Sequence, residues 1–384
     1  MTEIQDIFRE YSEEYIKNKI VSLKQKKVIN AVINCRTEKL GRRKHRCQEC
    51  GYEQYSYCSC RNRHCPKCQT FVKEKWINAR KGELLNTQYF HVVFTLPEQL
   101  KMIVKANEEN MLNILFKAVS ETLIELSADK EHLGGKIGAM LVLHTWDQKL
   151  MYHPHIHCVI PGGGLEYKNN WISFKKDFFI HVNILSKVFR GKFLYYFEQL
   201  YKKTRLVFSK DDEYLYDSTY FAEFKNRLYY KKFYSYSKAA FSGPDAVIEY
   251  LGRYTHRVAI SNNRIVKVEN GYITFKWYDR DNEGKEKTLT ITAQEFIRRF
   301  LLHVLPTGFM KIRYIGILSN RNKKTKLQIC KIATRTLKNT SEFIKLTTDQ
   351  LLSKITNGRI FICPQCGSNS MRLADVSKPL LDSS

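Results

Sequence analysis

The sequence predicts an α+β protein: a mainly antiparallel sheet with flanking helices, joined to a small cysteine-rich metal module. Three observations carry that expectation. Short β-branched or alternating runs recur at residues 88–96 (QYFHVVFTL), 137–145, 155–160, 265–268, 272–278 and 288–292, the lengths and period of strands. Longer stretches with apolar residues three and four apart lie around them, as amphipathic helices require. Two Cys-x2-Cys pairs, Cys47/Cys50 and Cys65/Cys68, stand fourteen residues apart, and two such knuckles can present four thiolates to one tetrahedral ion, as in a zinc ribbon.

Taken in order, Ile4, Ile7, Phe8, Tyr11 and Tyr15 open the chain at helical spacing. A basic link, Arg42 to Arg46, leads to the cysteine cluster, and a helix is expected over about 71–85. Pro97 ends the first strand, and residues 98–126 read as one long helix. The glycine triplet Gly162 to Gly164 closes the 155–160 strand. Residues 178–233 are aromatic, basic and mostly helical by pattern. A small antiparallel sheet is expected over 265–292 and a helix over 294–304. The expected units are an N-terminal helical segment (1–40), a zinc module (41–84), the main domain (85–320) and a basic C-terminal tail (321–384) holding an isolated Cys363-Pro-Gln-Cys366.

Lys and Arg total 64 against 38 Asp and Glu, a formal charge of +26. That excess points to a polyanionic partner, nucleic acid above all. No apolar run approaches the roughly 18 residues needed to span a bilayer, and residues 1–10 are polar, so a cytoplasmic protein is expected. In a reducing compartment the eleven cysteines should bind metal instead of forming disulfides.

Cys47, Cys50, Cys65 and Cys68 are the first choice of zinc ligands, with Cys58, Cys60 and His64 between the knuckles as alternatives. A closed thiolate site is structural and contributes on the order of 10 kcal/mol to folding its module. Arg61, Arg63 and Lys67 decorate it and are candidate DNA contacts. Cys363 and Cys366 form half of another site, either recruiting Cys58 or Cys60 or remaining an unpaired tail motif.

His153, His155 and His157 recur at a period of two, so a strand points all three to one face. Neutral imidazoles two residues apart can chelate one divalent cation. Gln148, seven residues before His155, is the candidate third ligand, with His153 and Asp147 competing. Ser242 to Asp245 (SGPD) is a helix start, after which Tyr250 and Tyr254 share a helix face, with Arg253, His256 and Arg257 close by. A phenol with a pKa near 10 becomes a useful nucleophile only with help from a metal, a base or nearby cations.

Together these motifs resemble the two-tyrosine transposases of rolling-circle insertion sequences, within the HUH endonuclease superfamily. His155-Ile156-His157 matches the His-hydrophobe-His signature. Residues 250–261 (YLGRYTHRVAIS) resemble the family's tyrosine helix, residues 60–68 (CRNRHCPKC) its zinc domain and residues 305–318 (LPTGFMKIRYIGIL) its C-terminal block. The resemblance implies a ferredoxin-like antiparallel sheet with the histidines on a central strand. It also implies a Mg or Mn ion, Tyr250 and Tyr254 as nucleophiles forming a 5′-phosphotyrosine bond, and single-stranded element ends as substrate, in a bacterial cytoplasm beside the nucleoid. Strand binding is expected to combine phosphate contacts from Lys and Arg with base stacking on aromatics; the stretch 229–236 (YYKKFYSY) is either a surface for this or an ordinary amphipathic helix or loop. The rival readings are a replication initiator or relaxase with the same chemistry, and a zinc-dependent DNA-binding regulator without catalysis.

Overall fold

The computed structural model describes residues 3–175, 179–203, 206–238, 247, 252, 258–279, 284–336 and 346–377. Tyr250, Tyr254, Arg253 and Arg257 lie outside the described residues.

Helix α1 (Ile4–Asn18) buries Ile4, Ile7, Phe8 and Tyr15, the spacing read from sequence. Helix α2 (Leu23–Ile33) starts at a capping box in which Ser22 and Gln25 satisfy each other's backbone N–H groups. Strands β1 (Arg42–Cys47) and β2 (Glu53–Tyr57) pair as a hairpin across the first cysteine knuckle. Helix α3 (Pro66–Lys81) begins earlier than expected, because Pro66 at its first position needs no N–H partner and its preset φ suits a helix start.

Strand β3 (Tyr89–Thr95) leads to α4 (Lys101–Ala106) and α5 (Glu108–Ala128). The single long helix expected here is broken at Asn107. Its side chain leaves the helix to exchange two hydrogen bonds with the backbone of Val207, at 2.7 and 2.9 Å. Strands β4 (Lys136–Trp146) and β5 (Tyr152–Pro161) follow, then β6 (Gly163–Leu165), β7 (Trp171–Ser173), α6 (Val182–Lys203), α7 (Ser218–Tyr229) and β8 (Tyr234–Lys238). The sheet order is β7-β6-β4-β5-β3-β8. Its inner run, β4-β5-β3-β8, combined with helices after β3 and after β5, is the ferredoxin-like arrangement, antiparallel throughout.

Alternation along the strands separates two faces. Phe90, Val92 and Phe94 of β3, Ala139, Leu141 and Leu143 of β4, and Ile156, Cys158 and Ile160 of β5 face the helical layer. There they meet Leu112, Leu115 and Phe116 of α5 and Phe189 and Phe193 of α6. Each such side chain withdrawn from water stabilises the fold by about 1.5–3 kcal/mol. The opposite parity carries Tyr89, Met140, Val142 and Val159, which pack with Val247, together with the histidines.

Strands β9 (Ile265–Glu269), β10 (Tyr272–Asp279) and β11 (Lys285–Thr292) form the expected small sheet. Helix α8 (Ala293–Leu301) lays Phe296, Ile297 and Phe300 into the cluster that also buries α1 and α2; Phe8 meets Phe300 edge-on at 5.0 Å. Strand β12 (Ile312–Gly316) adds to β4 on its free edge. Helices α9 (Lys323–Ala333) and α10 (Thr348–Thr356) precede β13 (Met371–Val376). β13 pairs with β1 in a three-stranded sheet of order β13-β1-β2, so the segment beyond residue 321 returns to the N-terminal module. Among the described residues no helix is long and apolar enough to cross a membrane.

Candidate active site: three histidines on one sheet face

β4 and β5 pair in antiparallel register with His144 directly opposite His155 and Val142 opposite His157. Side chains of directly opposed residues emerge on the same face, so the His144, His155 and His157 rings converge. Their ligand nitrogens all lie within 4.8 Å of one another. His144 is therefore the third imidazole, a place that the sequence reading offered to Gln148.

Gln148 sits beyond the strand, in the β4–β5 turn, where its carbonyl accepts from Arg264 at 2.5 Å. Its side-chain oxygen is buried without a hydrogen-bond partner among the described residues. Asp147 is occupied in the same turn, its carboxylate accepting from the backbone N–H of Lys149 and Met151 at 2.9 and 2.7 Å. His153 acts through its main chain: its carbonyl is 2.7 Å from His155 Nδ1. A carbonyl only accepts, so that nitrogen carries the proton and His155 Nε2 keeps a lone pair.

His155 Nε2 and His157 Nε2 approach to 3.1 Å, while His157 Nδ1 is 2.9 Å from His91 Nε2. If His157 Nδ1 donates to His91, both facing Nε2 atoms hold lone pairs, and a cation between them relieves the contact. Three imidazoles on one face, with outer partners on His155 and His157, fit a divalent ion that keeps open positions. The donors fit a first-row transition ion better than magnesium, which prefers oxygen ligands.

The turn behind the site is rigidly built. Leu150 holds a left-handed φ of 63°, and its carbonyl accepts from His303 Nε2 at 3.1 Å. His303 Nδ1, 3.2 Å from Oγ1, accepts from the Thr145 hydroxyl, so both ring nitrogens are satisfied in the neutral form. Burial pushes the His303 pKa down to about 3.

On the same face, the outer strand β8 pairs Tyr236 with Val93 and Tyr234 with Thr95. The Tyr234 and Tyr236 rings are 61% and 52% exposed, and Tyr230 just before them 90%. Phe233 is the inward exception, packed on Phe189 and Phe193. Tyr234 and Tyr236 therefore present open aromatic rings on the histidine face, Tyr236 6.3 Å from the His91 ring.

The cysteines partition differently from the expected set. Cys47, Cys50, Cys65 and Cys68 do not share a site. Cys65 and Cys68 join Cys35 and Cys60, whereas Cys47 and Cys50 join Cys363 and Cys366. The hairpin β1–β2 carries the first knuckle away from α3, whose first turn holds the second. In the first quartet Cys68 Sγ lies 3.5 Å from both Cys35 Sγ and Cys60 Sγ. Tetrahedral zinc with bonds of about 2.3 Å requires sulfur separations of about 3.8 Å, far beyond the roughly 2.05 Å of a disulfide. Hydrogen bonds from Cys35, then Cys60 and Cys65, push the Cys68 thiol strongly down. Cys35, Cys65 and Cys68 belong to the large buried cluster that also takes in α1, α2 and Leu150 of the β4–β5 turn. Cys58 and His64 stand outside both quartets.

Two of the expected DNA contacts are committed inside the protein. Arg63 donates to the carbonyls of Phe309 and Pro306 at 2.6 and 2.7 Å, stitching the cysteine module to the segment before β12. Lys67 pairs with Glu3 and donates to Gln5. Arg61 is exposed. Sequence reasoning missed His144, Cys35 and His91. The strand period could have found His144, since β4 runs with its even-numbered residues on one face; Cys35 had no local partner to mark it.

Two family models match the chain: "Putative transposase" over residues 138–326 and "Transposase zinc-binding domain" over residues 7–96. A Sinorhizobium fredii protein carrying the first of these descriptions is 45% identical over 331 residues, 86% of this chain and 83% of that one. The transposase for insertion sequence element IS801 of Pseudomonas savastanoi pv. phaseolicola is 26% identical over 300 residues, 76% of this chain and 70% of that one. Among solved structures, the conjugative relaxase TrwC with oriT DNA, in its copper-bound form, is 16% identical over 32% of this chain and 45% of that chain. Its TM-score of 0.23 is too slight a likeness to argue from.

Proposed function

Because this chain belongs to the IS91/IS801-type transposases and carries their zinc-binding domain, we propose that it cuts and rejoins single-stranded DNA through a 5′-phosphotyrosine intermediate. The observation that carries the reading is the convergence of His144, His155 and His157 on one sheet face, beside the exposed tyrosines of β8. A zinc-dependent regulator has no use for such a set.

Tyr250 and Tyr254 are the proposed nucleophiles. Val247, three residues before Tyr250, is buried against Met140, Val142 and Val159 on the histidine face, which supports nucleophiles acting there. A phenol oxygen attacks the scissile phosphorus, the bond to the 3′ oxygen breaks, and that oxygen takes up a proton to leave as a 3′-hydroxyl. The phosphotyrosine bond conserves the energy of the phosphodiester, so no nucleotide cofactor is required. The second tyrosine serves the second strand-transfer step.

His144, His155 and His157 hold the cation, Mn suiting three imidazoles better than Mg; when bound, it polarises the phosphate and stabilises charge in the transition state. The His153 carbonyl fixes the tautomer of His155. Tyr230, Tyr234 and Tyr236 stack unpaired bases, with Arg61, Arg253 and Arg257 on the phosphates. The structural zinc sits on Cys35, Cys60, Cys65 and Cys68.

Incubation with single-stranded element-end DNA and Mn should give an adduct that survives SDS. That adduct should vanish in Tyr250→Phe/Tyr254→Phe and in His155→Ala/His157→Ala. An adduct persisting in the double tyrosine variant would overturn the nucleophile assignment.

A further inference from the structure

Cys47-Gln48-Glu49-Cys50-Gly51-Tyr52 and Cys363-Pro364-Gln365-Cys366-Gly367-Ser368 have the same backbone. In each, the N–H of the first cysteine donates to the carbonyl five residues on, Tyr52 or Ser368, at 2.8 Å. In each, the glycine N–H donates back to that cysteine's carbonyl, at 3.2 Å for Gly51 and 2.9 Å for Gly367. Both glycines take a left-handed φ, +74° and +71°, which residues with a side chain rarely adopt. This tight turn aims two thiolates at one point.

The two turns face each other. Cys47 Sγ is 3.7 Å from Cys366 Sγ, and Cys50 Sγ is 3.6 Å from Cys363 Sγ. These are the edges of a zinc–thiolate tetrahedron and not disulfides. β13 brings the second knuckle into place by pairing Cys47 with Met371 and Arg46 with Arg372, and Gln48 N–H donates to Ser370 at 3.0 Å. Cys47, Cys363 and Met371 are buried together.

We propose that Cys47, Cys50, Cys363 and Cys366 form a second structural zinc site, distinct from the Cys35/Cys60/Cys65/Cys68 quartet, which clasps the C-terminal segment onto the N-terminal module. Neither matched family model includes residues 363–366. The clasp turns β1–β2 from a bare hairpin into a three-stranded ribbon. Its core is so small that metal, more than apolar burial, holds it together.

The test is zinc stoichiometry by elemental analysis of the full chain. Cys363→Ser/Cys366→Ser should lose one zinc, Cys47→Ser/Cys50→Ser should lose one, and the four substitutions combined should still lose only one. Additive losses, or a Cys363→Ser/Cys366→Ser variant with its full zinc complement, would overturn the site. Iron in place of zinc would overturn the metal.

Wild-type protein gives a readout independent of variant folding. Under mild alkylation followed by mass spectrometry, Cys58 should react at once. Cys47, Cys50, Cys363 and Cys366 should resist and then become reactive together when chelator is added. Exposed Cys366 reacting as fast as Cys58, with Cys47 and Cys50 still protected, would refute the clasp.

Discussion

The His153 carbonyl decides which nitrogen of His155 meets a cation, because it commits Nδ1 to donation. In the proposed cation site His144 has a different part: it approaches from the neighbouring strand and would turn a two-point chelate into a three-point one. His144→Ala should weaken Mn binding at least tenfold by titration calorimetry, since even outer-shell changes cost about 10–100-fold. Gln148→Ala should change it by less than about threefold, and the reverse ranking would restore Gln148 as the third ligand. His303 gives a pH prediction. Its folded pKa is near 3 against about 6.5 unfolded, so between those values the unfolded chain binds the extra proton and stability rises with pH. Stability should therefore fall as pH drops from 6.5 towards 3, by up to about 1.4 kcal/mol per unit from this residue. His303→Gln should flatten that slope in urea titrations; an unchanged slope would mean that the ring is not buried neutral. The period-two histidines were legible because a strand shows its period locally. For His144 the period of β4 gives only its face; its place opposite His155 comes from the β4–β5 register, which alternation alone does not set.

β4 is the element on which the site depends, since it pairs with β5 on one side and with both β6 and β12 on the other. Gly316 ends β12 at a φ of +61°, and a Cβ there would sit 1.8 Å from the Ile137 carbonyl oxygen. Gly316→Ala should cost roughly 2–4 kcal/mol, read as a lower urea midpoint; an unshifted midpoint would show that β12 contributes little. Gly163 and Gly164 have the same reason for being glycine: a Cβ would lie 2.3 Å from the Ile172 carbonyl oxygen or 2.5 Å from that of Lys136. Strands β3, β4 and β5 could be read from sequence to within a few residues, because β-branched alternation bounded by Pro97 and the glycine triplet is a local signal, whereas β6, β7, β8 and β12 of the same sheet are short and were not. The break at Asn107 could not, since its cause is Val207, 100 residues away. The ferredoxin-like strand order came from family resemblance, since periodicity identifies strands without ordering them.

At the scale of the whole molecule the charge of +26 makes a prediction of its own. If about six phosphates are neutralised, log affinity for a single strand should fall against log salt with a slope of about −4. Fluorescence anisotropy measures it, and a flat response would detach the charge from DNA binding. The domain plan read from sequence separated residues 41–84 from residues 321–384, because the cysteines that join them lie too far apart for spacing to reveal. That separation has a consequence in time. Cys47 and Cys366 are 319 residues apart, and ribosomes add roughly 5–20 residues per second, so β1 waits roughly 15–65 s for β13. Throughout that interval β1 presents an unpaired edge, and the histidine strands, complete at residue 161, are made well before it closes. A chain ending before Cys363 would therefore carry His144, His155 and His157 while one edge of β1 stays without its β13 partner.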